Sequence, residues 1–508
     1  MRSMNWLLTF AVPRTAALTA AFTGALTIGA AGCKKKEIFP ILGDKVSSPI
    51  DVAVDASEQY FYALNSDFPR DYNQGSLLVL TIDGVKVTSI PVPRLGSSLT
   101  VAGNTLIVTI SQSDSSPQQV MLFDITDPKA PVLAKTFIPS ECNPINAIAK
   151  ASYRYWVVSC SNGYIFAGDL APTLSESTLQ HVRSYPGPRR ALHLDTARDL
   201  LIAFPTNLGG QSWGDAQLED TKSYYDTALD SALDQTNIAP EASSKSGTMT
   251  EIPNEIPDDL EKTSSSRTNK NSRGMYQFAV YDLQKSHDAN WVEIKPVAPV
   301  SSAFELHWIY FGLSNFDGTP DIAETAASLT THYYRTNFWE AKSDPSDGDV
   351  FYVSQRGSAD PHYGGSLHAN SIIKVRITGD LTSSTLTTAE TLSFERIYGF
   401  KGELDPSGRH FPGDFEIATV QGKPLLVVNH FRDLVNWPKQ PFFSIAAKII
   451  GENRWFTENT SVSSLKSYNQ LALTSSGRAM ASNFYGNSLI LLDVTPGVGI
   501  IEKTSQIK

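Results

Sequence analysis

The chain has 508 residues, 41% hydrophobic and 19% charged, with a formal net charge of −10 and three cysteines. That apolar fraction argues against disorder. The acidic balance, with no basic run longer than Lys34 to Lys36, argues against nucleic acid as a partner. Such a length predicts several domains, unless a repeat lets one fold grow unit by unit.

Residues 1–32 hold Arg2 and Arg14 but no acid, followed by the small-residue apolar run TAALTAAFTGALTIGAAG that meets Cys33. The pattern predicts a signal peptide over 1–32. An uncleaved anchor is the alternative, since the run is close to the shortest apolar span that crosses a bilayer. Ala30 to Cys33, AAGC, resembles the lipobox of bacterial lipoproteins, in which small residues precede a cysteine that becomes residue one and is lipidated. The resemblance implies acyl chains (palmitate or a similar fatty acid) on Cys33, a tether over 33–47 and a membrane held as a partner through that lipid. Lys34, not Asp, follows the cysteine, which points to the outer membrane. Cleavage removes Arg2 and Arg14 and takes the net charge from −10 to −12.

From residue 48 onward one pattern recurs seven times: a short strand, a turn, a stronger apolar strand, a loop, a third strand and a fourth. First strands begin near Asp51, Leu99, Asn146, Ala191, Asn337, Phe415 and Leu471. The second strands include FYALN, LIVTIS, YWVVSC and LLVVNH, and the third include SLLVLTI, QVMLFDI and SLILLDV. Four-stranded units in series bury their faces only against one another, which predicts an all-β, seven-bladed β-propeller of antiparallel blades over 48–508. A pair of β-sandwiches is the competing reading. In the second unit VMLFDITDPKAPVLAKTFIP resembles the LVIVD-type repeat of bacterial and archaeal surface propellers, with echoes in YDL and LLDVTP. That resemblance implies the fold and a cell-envelope location, and brings no catalytic residues.

The units differ in two connections, from second to third strand and from blade to blade, which turn at the same end of an antiparallel blade. Insertions, partly helical, are therefore expected on one face. The largest, 206–274 in blade 4, holds 12 acidic and 6 basic residues and includes a candidate amphipathic helix around Tyr225, Leu229 and Leu233. A second, 301–336 between blades 4 and 5, begins a helix at Thr319–Pro320. Tyr333, Tyr334 and Trp339 in or beside it are candidates for binding sugars or peptides through aromatic contact, or for pinning the helix to the rim.

Cys142 precedes the first strand of blade 3 and Cys160 ends the second, so the hairpin register sets them nearly opposite. In an exported protein this predicts a disulfide. No HExxH, GxSxG, phosphate loop or haem-attachment motif occurs, and no catalytic residue or metal site is assigned. SDPSDGD, 343–349, lacks the spacing of a calcium loop and reads as the first turn of blade 5.

Aligning the first strands places polar residues around one channel mouth: Asp51, Ser98, Asn146, Arg190, Asn337, Asp414 and Gln470, with His430 nearby. Asp51, Asn146, Arg190, Asn337, Asp414 and His430 are the binding candidates there. Three functional readings follow, the third being a carbohydrate-binding surface propeller that uses the aromatics between blades 4 and 5. The first is a lipid-anchored envelope module that binds other envelope proteins or polysaccharide through its insertion-rich face, comparable in architecture to the propeller lipoprotein of the outer-membrane barrel assembly machinery. It needs no cofactor. The second is a hydrolase similar to metal-dependent propeller lactonases, holding Ca²⁺ or another divalent cation at Asp51, Asn146, Asp414 and His430.

Overall fold

The computed structural model describes residues 39–113, 116–140, 142–161, 164–182, 190–204, 279–291, 295–296, 337–356, 371–381, 392–399, 411–431, 445–452, 455–457, 468–484, 486–503 and 507–508. The leader with Cys33, the insertions 206–274 and 301–336, and Tyr333 and Tyr334 lie outside these residues. No helix among the described residues is long and apolar enough to cross a membrane.

Among the described residues twenty-eight strands form seven four-stranded antiparallel sheets, each paired in chain order from the channel outward. Blade 1 has β1 (Pro49–Val54), β2 (Tyr60–Asn65), β3 (Gly75–Thr81) and β4 (Lys86–Val92). Blade 2 has β5 (Gly96–Ala102), β6 (Thr105–Ile110), β7 (Gln119–Asp124) and β8 (Val132–Phe137). Blade 3 has β9 (Pro144–Ile148), β10 (Tyr155–Cys160), β11 (Ile165–Asp169) and β12 (Gln180–Val182). Blade 4 has β13 (Ala191–Asp195), β14 (Leu200–Phe204), β15 (Ala279–Asp282) and β16 (Lys295–Pro296). Blade 5 has β17 (Asn337–Ser343), β18 (Val350–Arg356), β19 (Ser371–Ile377) and β20 (Leu392–Gly399). Blade 6 has β21 (Phe411–Val420), β22 (Lys423–Phe431), β23 (Ile445–Ile449) and β24 (Trp455–Thr457), and blade 7 has β25 (Tyr468–Leu473), β26 (Arg478–Asn483), β27 (Ser488–Thr495) and β28 (Gly499–Glu502). The chain is a seven-bladed β-propeller.

The second strands are apolar at nearly every position because both of their faces are covered. Successive residues point to opposite faces of a sheet. Thus Phe61 and Ala63 pack toward blade 7 while Tyr62 and Leu64 pack toward blade 2. Repeated around the ring, this alternation yields seven apolar clusters, one at each junction between neighbouring blades. The core is therefore a ring of interfaces. No described sheet mixes strands from the two chain ends. Closure between blades 7 and 1 comes from one of the seven clusters and from side chains: Asn469 donates to the Ile50 carbonyl at 2.6 Å, Asn487 accepts from the Ser48 amide at 2.7 Å, and Arg478 pairs with Asp83 at 3.3 Å.

Acidic side chains shape the inner hairpins. Asp55 accepts the amides of Ser57, Gln59 and Tyr60, Asp195 those of Ala197 and Arg198, and Asp344 that of Ser346. Such side-chain acceptors stand in for backbone turns. In the 343–349 segment Asp349 also pairs with Arg198 at 2.6 Å and Asp347 with Arg376 at 2.9 Å, so its acids serve the turn and its neighbours.

Beside a 3₁₀ turn at Leu174–Glu176, the described residues hold one α-helix, α1 (Leu283–Asp288), which follows β15 directly, where blades 1 and 2 have short turns. Asp282 caps it by accepting the Lys285 amide at 2.7 Å, and Leu283 and Trp291 are buried against Tyr155 of blade 3. It stands at the end opposite the connections in which the sequence places helical insertions.

Candidate functional site: the central channel and the insertion face

The inner strands β1, β5, β9, β13, β17, β21 and β25 surround a cavity of about 320 Å³. Each runs from the end where blades connect, the insertion face, to the end of the inner hairpins, the hairpin face.

One register position repeats near the insertion face. Val52, Leu99, Ala147, Ala341, Phe415 and Leu471 each pack on the cluster shared with the preceding blade. The residue just before each is polar: Asp51, Ser98, Asn146, Glu340, Asp414 and Gln470. Blade 5 departs from the sequence alignment. An irregularity between Phe338 and Ala341 shifts the strand, so Glu340 takes the position expected for Asn337, whose side chain lies outside the described ones. Blade 4 departs too, since Leu192 packs on the blade 3 side and Arg190 enters from one residue further out.

Three members of this ring tie neighbouring blades together. Asp51 accepts the Val52 amide at 2.8 Å and, across the interface, the Leu99 amide at 2.6 Å. Asp414 accepts Phe415 at 2.8 Å and, across the next interface, Leu471 at 3.0 Å. Asn146 accepts Ala147 at 2.9 Å and donates to the Arg190 carbonyl at 2.7 Å. A buried backbone amide without a partner is costly, and a side-chain oxygen set against it removes that cost, so these side chains have a structural task.

Of the remaining members, Ser98 bonds to Thr109 of its own blade at 2.7 Å, and Glu340 gathers both Arg190 and Gln470. Arg190 of blade 4 donates to Glu340 of blade 5 at 2.8 Å and to the Ile145 carbonyl of blade 3 at 2.9 Å. Gln470 of blade 7 donates to the same Glu340 oxygen at 3.0 Å. Trp339, an aromatic candidate from the sequence, lies on β17 beneath the Arg190 guanidinium, 4.5 Å from ring centre to Cζ. Deeper in the channel Lys342 pairs with Glu416 at 2.8 Å and Asp414 at 3.6 Å. Burial pushes Asp51 up to about 7 against the bond from Leu99, and pushes Asp414 and Glu416 above the usual carboxylate range despite Lys342. Burial acts on Glu340 in the same sense, but Arg190 and Lys342 overcome it and hold that carboxyl low. The carboxylates around Lys342 hold its ammonium well above its usual value in spite of burial.

Glu340, Lys342 and Glu416 are absent from the sequence-derived candidates. Their signal was present as charged residues inside inner strands that are otherwise apolar. The His430 side chain lies outside the described ones, and no group of three or more His, Cys, Asp or Glu suited to a metal occurs among the described residues.

At the insertion face, Cys142 and Cys160 form the disulfide expected from the hairpin register, with Cα atoms 5.2 Å apart. The blade 1 connection, 66–74, is built around Asp67, which accepts the amides of Asp71 and Tyr72 at 3.1 and 3.2 Å. It presents Phe68, 62% exposed, whose ring centre is 5.7 Å from that of Phe484 in blade 7.

No protein-family model matches the chain, and no curated protein matches it. Similar solved structures include the β-propeller domain of Cps50 (Swd1) from Myceliophteria thermophila, 9% identical with TM-score 0.47 over 88% of this chain and 98% of that one. Sqt1 from Saccharomyces cerevisiae is 7% identical with TM-score 0.44, covering 91% and 86%, and hydrazine synthase from Kuenenia stuttgartiensis is 9% identical with TM-score 0.43, covering 91% and 99%.

Proposed function

We propose that this protein is a lipid-anchored envelope β-propeller that binds other envelope proteins through its insertion face and does not act as an enzyme. The observation that carries this reading is the contrast between the channel and that face. At the channel mouth, Asp51, Asn146 and Asp414 direct their side chains to backbone groups that join blades, and Arg190 and Gln470 both donate to Glu340. The connections that open on the insertion face, by contrast, include 205–278, 297–336, 357–370 and 432–444, far longer than the inner hairpins. Long loops on a rigid scaffold are where binding residues concentrate.

The address rests on the run that ends at AAGC with Cys33 and agrees with the Cys142–Cys160 bridge, a bond that persists in oxidising compartments. In-cell crosslinking and pull-down with and without residues 206–274 tests the binding face. The reading expects partners to be lost on deletion, and an unchanged partner set counts against this arm. Metabolic labelling with a palmitate analogue tests the anchor. Label that survives Cys33→Ala contradicts it.

A further inference from the structure

Among the described residues the channel holds three cations, and two of them have a carboxylate partner. Arg190 has Glu340 and Lys342 has Glu416 and Asp414. Lys150, which follows β9 at the hairpin end, lines the cavity, and among the described residues its ammonium has one polar partner, the Ser343 hydroxyl of blade 5 at 2.6 Å. That bond spans from blade 3 to blade 5. Ser343 in turn lies 3.4 Å from Nδ1 of His193, a buried imidazole stacked on Phe351 at 4.0 Å. Lys150 donates to Ser343, so the Ser343 hydroxyl hydrogen is left to point toward Nδ1.

The groups placed beside the Lys150 ammonium, Ser343, His193 and Lys342, are thus neutral or positive. Burial, with Lys150 and Arg198 nearby, pushes His193 down to about 3, so it stays uncharged. Burial and the neighbouring Lys342 lower Lys150 itself, and no carboxylate offsets them. The other acids that line the cavity are engaged elsewhere: Glu340 pairs with Arg190, Glu416 and Asp414 pair with Lys342, and Asp51 accepts the Val52 and Leu99 amides. A partly desolvated ammonium without a counter-charge is an unfavourable arrangement that an anion relieves. The cavity volume is at the small end of ligand pockets, which run from about 300 Å³ upward.

We propose that the hairpin end of the central channel binds a small oxyanion, a phosphate or carboxylate group, which pairs with Lys150. This site is separate from the insertion face, and its test is independent of the partner reading.

Isothermal titration of the full-length chain in detergent with inorganic phosphate and, separately, succinate provides the test. The proposal expects saturable binding of at least one, weakened about tenfold or more by Lys150→Met. Lys423→Met, which removes a charge from the exposed β21–β22 turn at the same end, leaves the affinity unchanged. Phosphate bound without succinate assigns a phosphate group, and the converse assigns a carboxylate. In the unmodified chain the bound anion should also protect Lys150, and not Lys423, from amine acylation read by mass spectrometry, a readout that does not depend on the variant folding. Binding of neither anion overturns the proposal. So does equal weakening by the two substitutions, or Lys150 labelling that the anion leaves unchanged.

Discussion

Replacing Arg190 by methionine tests whether the channel pairs are as tightly bound into the fold as their burial indicates. Arg190 and Glu340 side chains are each 9% exposed, and the guanidinium reaches Glu340 through Nε at 3.1 Å and Nη2 at 2.8 Å. The substitution strands the Glu340 carboxylate, deprives the Ile145 carbonyl of its 2.9 Å donor and removes the cation over Trp339. Removing one partner of a buried pair costs about 3–5 kcal/mol, because the other charge stays buried without compensation. Lys342 and Gln470 remain near Glu340, which places the expectation at the lower end, about 3 kcal/mol. Neutralising the partner as well, in Arg190→Met/Glu340→Gln, removes the stranded charge. The double variant should therefore be more stable than Arg190→Met alone, with a coupling of about 2 kcal/mol in a double-mutant cycle. Urea unfolding followed by tryptophan fluorescence at fixed pH and salt measures all four corners. A single-variant cost below about 1 kcal/mol, or costs that simply add, refutes the reasoning and assigns the pair the small worth of a surface salt bridge.

Other outcomes follow from individual residues. Asp51 has a raised folded-state pKa, so the folded chain holds a proton that the unfolded chain releases, and stability falls as pH rises from about 4 to about 7. Asp51→Asn should flatten that part of the stability profile, and a profile unchanged by the substitution contradicts the assignment. Reducing the Cys142–Cys160 bridge, which closes an 18-residue separation, should lower stability by about 3 kcal/mol, read as a shift in urea midpoint against the oxidised chain. A Cβ built at Gly168 would lie 2.1 Å from the Thr178 carbonyl oxygen, so Gly168→Ala must push backbone apart within blade 3. A loss of about 1–3 kcal/mol is expected, and a thermal midpoint equal to that of the parent argues against the close approach.

The blades were legible because their second strands are buried on both faces and so read as unbroken apolar runs, as in YWVVSC and LLVVNH. The disulfide was legible because two cysteines flank one hairpin, whose pairing of Ser159 with Asn146 puts them side by side. The polar ring was legible as a set of positions, but its use was not. Sequence gives no sign that Asp51 and Asp414 reach across to amides of the next blade, since that depends on how sheets stack in space. Blade 5 misled the alignment because the irregularity in β17 moves Glu340 into the place assigned to Asn337. Lys150 and Ser343 escaped notice for a related reason. They stand 193 positions apart and meet only because the ring brings blades 3 and 5 to a common axis. Helix α1 was hidden by length, as its six residues are too few for a helical period to show.

The central claim is that partners engage the insertion face. A photo-crosslinking residue placed at Asp71, in the blade 1 connection on that face, can be compared in cells with one at Asp83, an exposed position in the β3–β4 turn on the hairpin face. Crosslinks to envelope proteins from position 71 and none from position 83 are the predicted result. Equal crosslinking from both positions, or crosslinks from position 83 alone, contradicts the account.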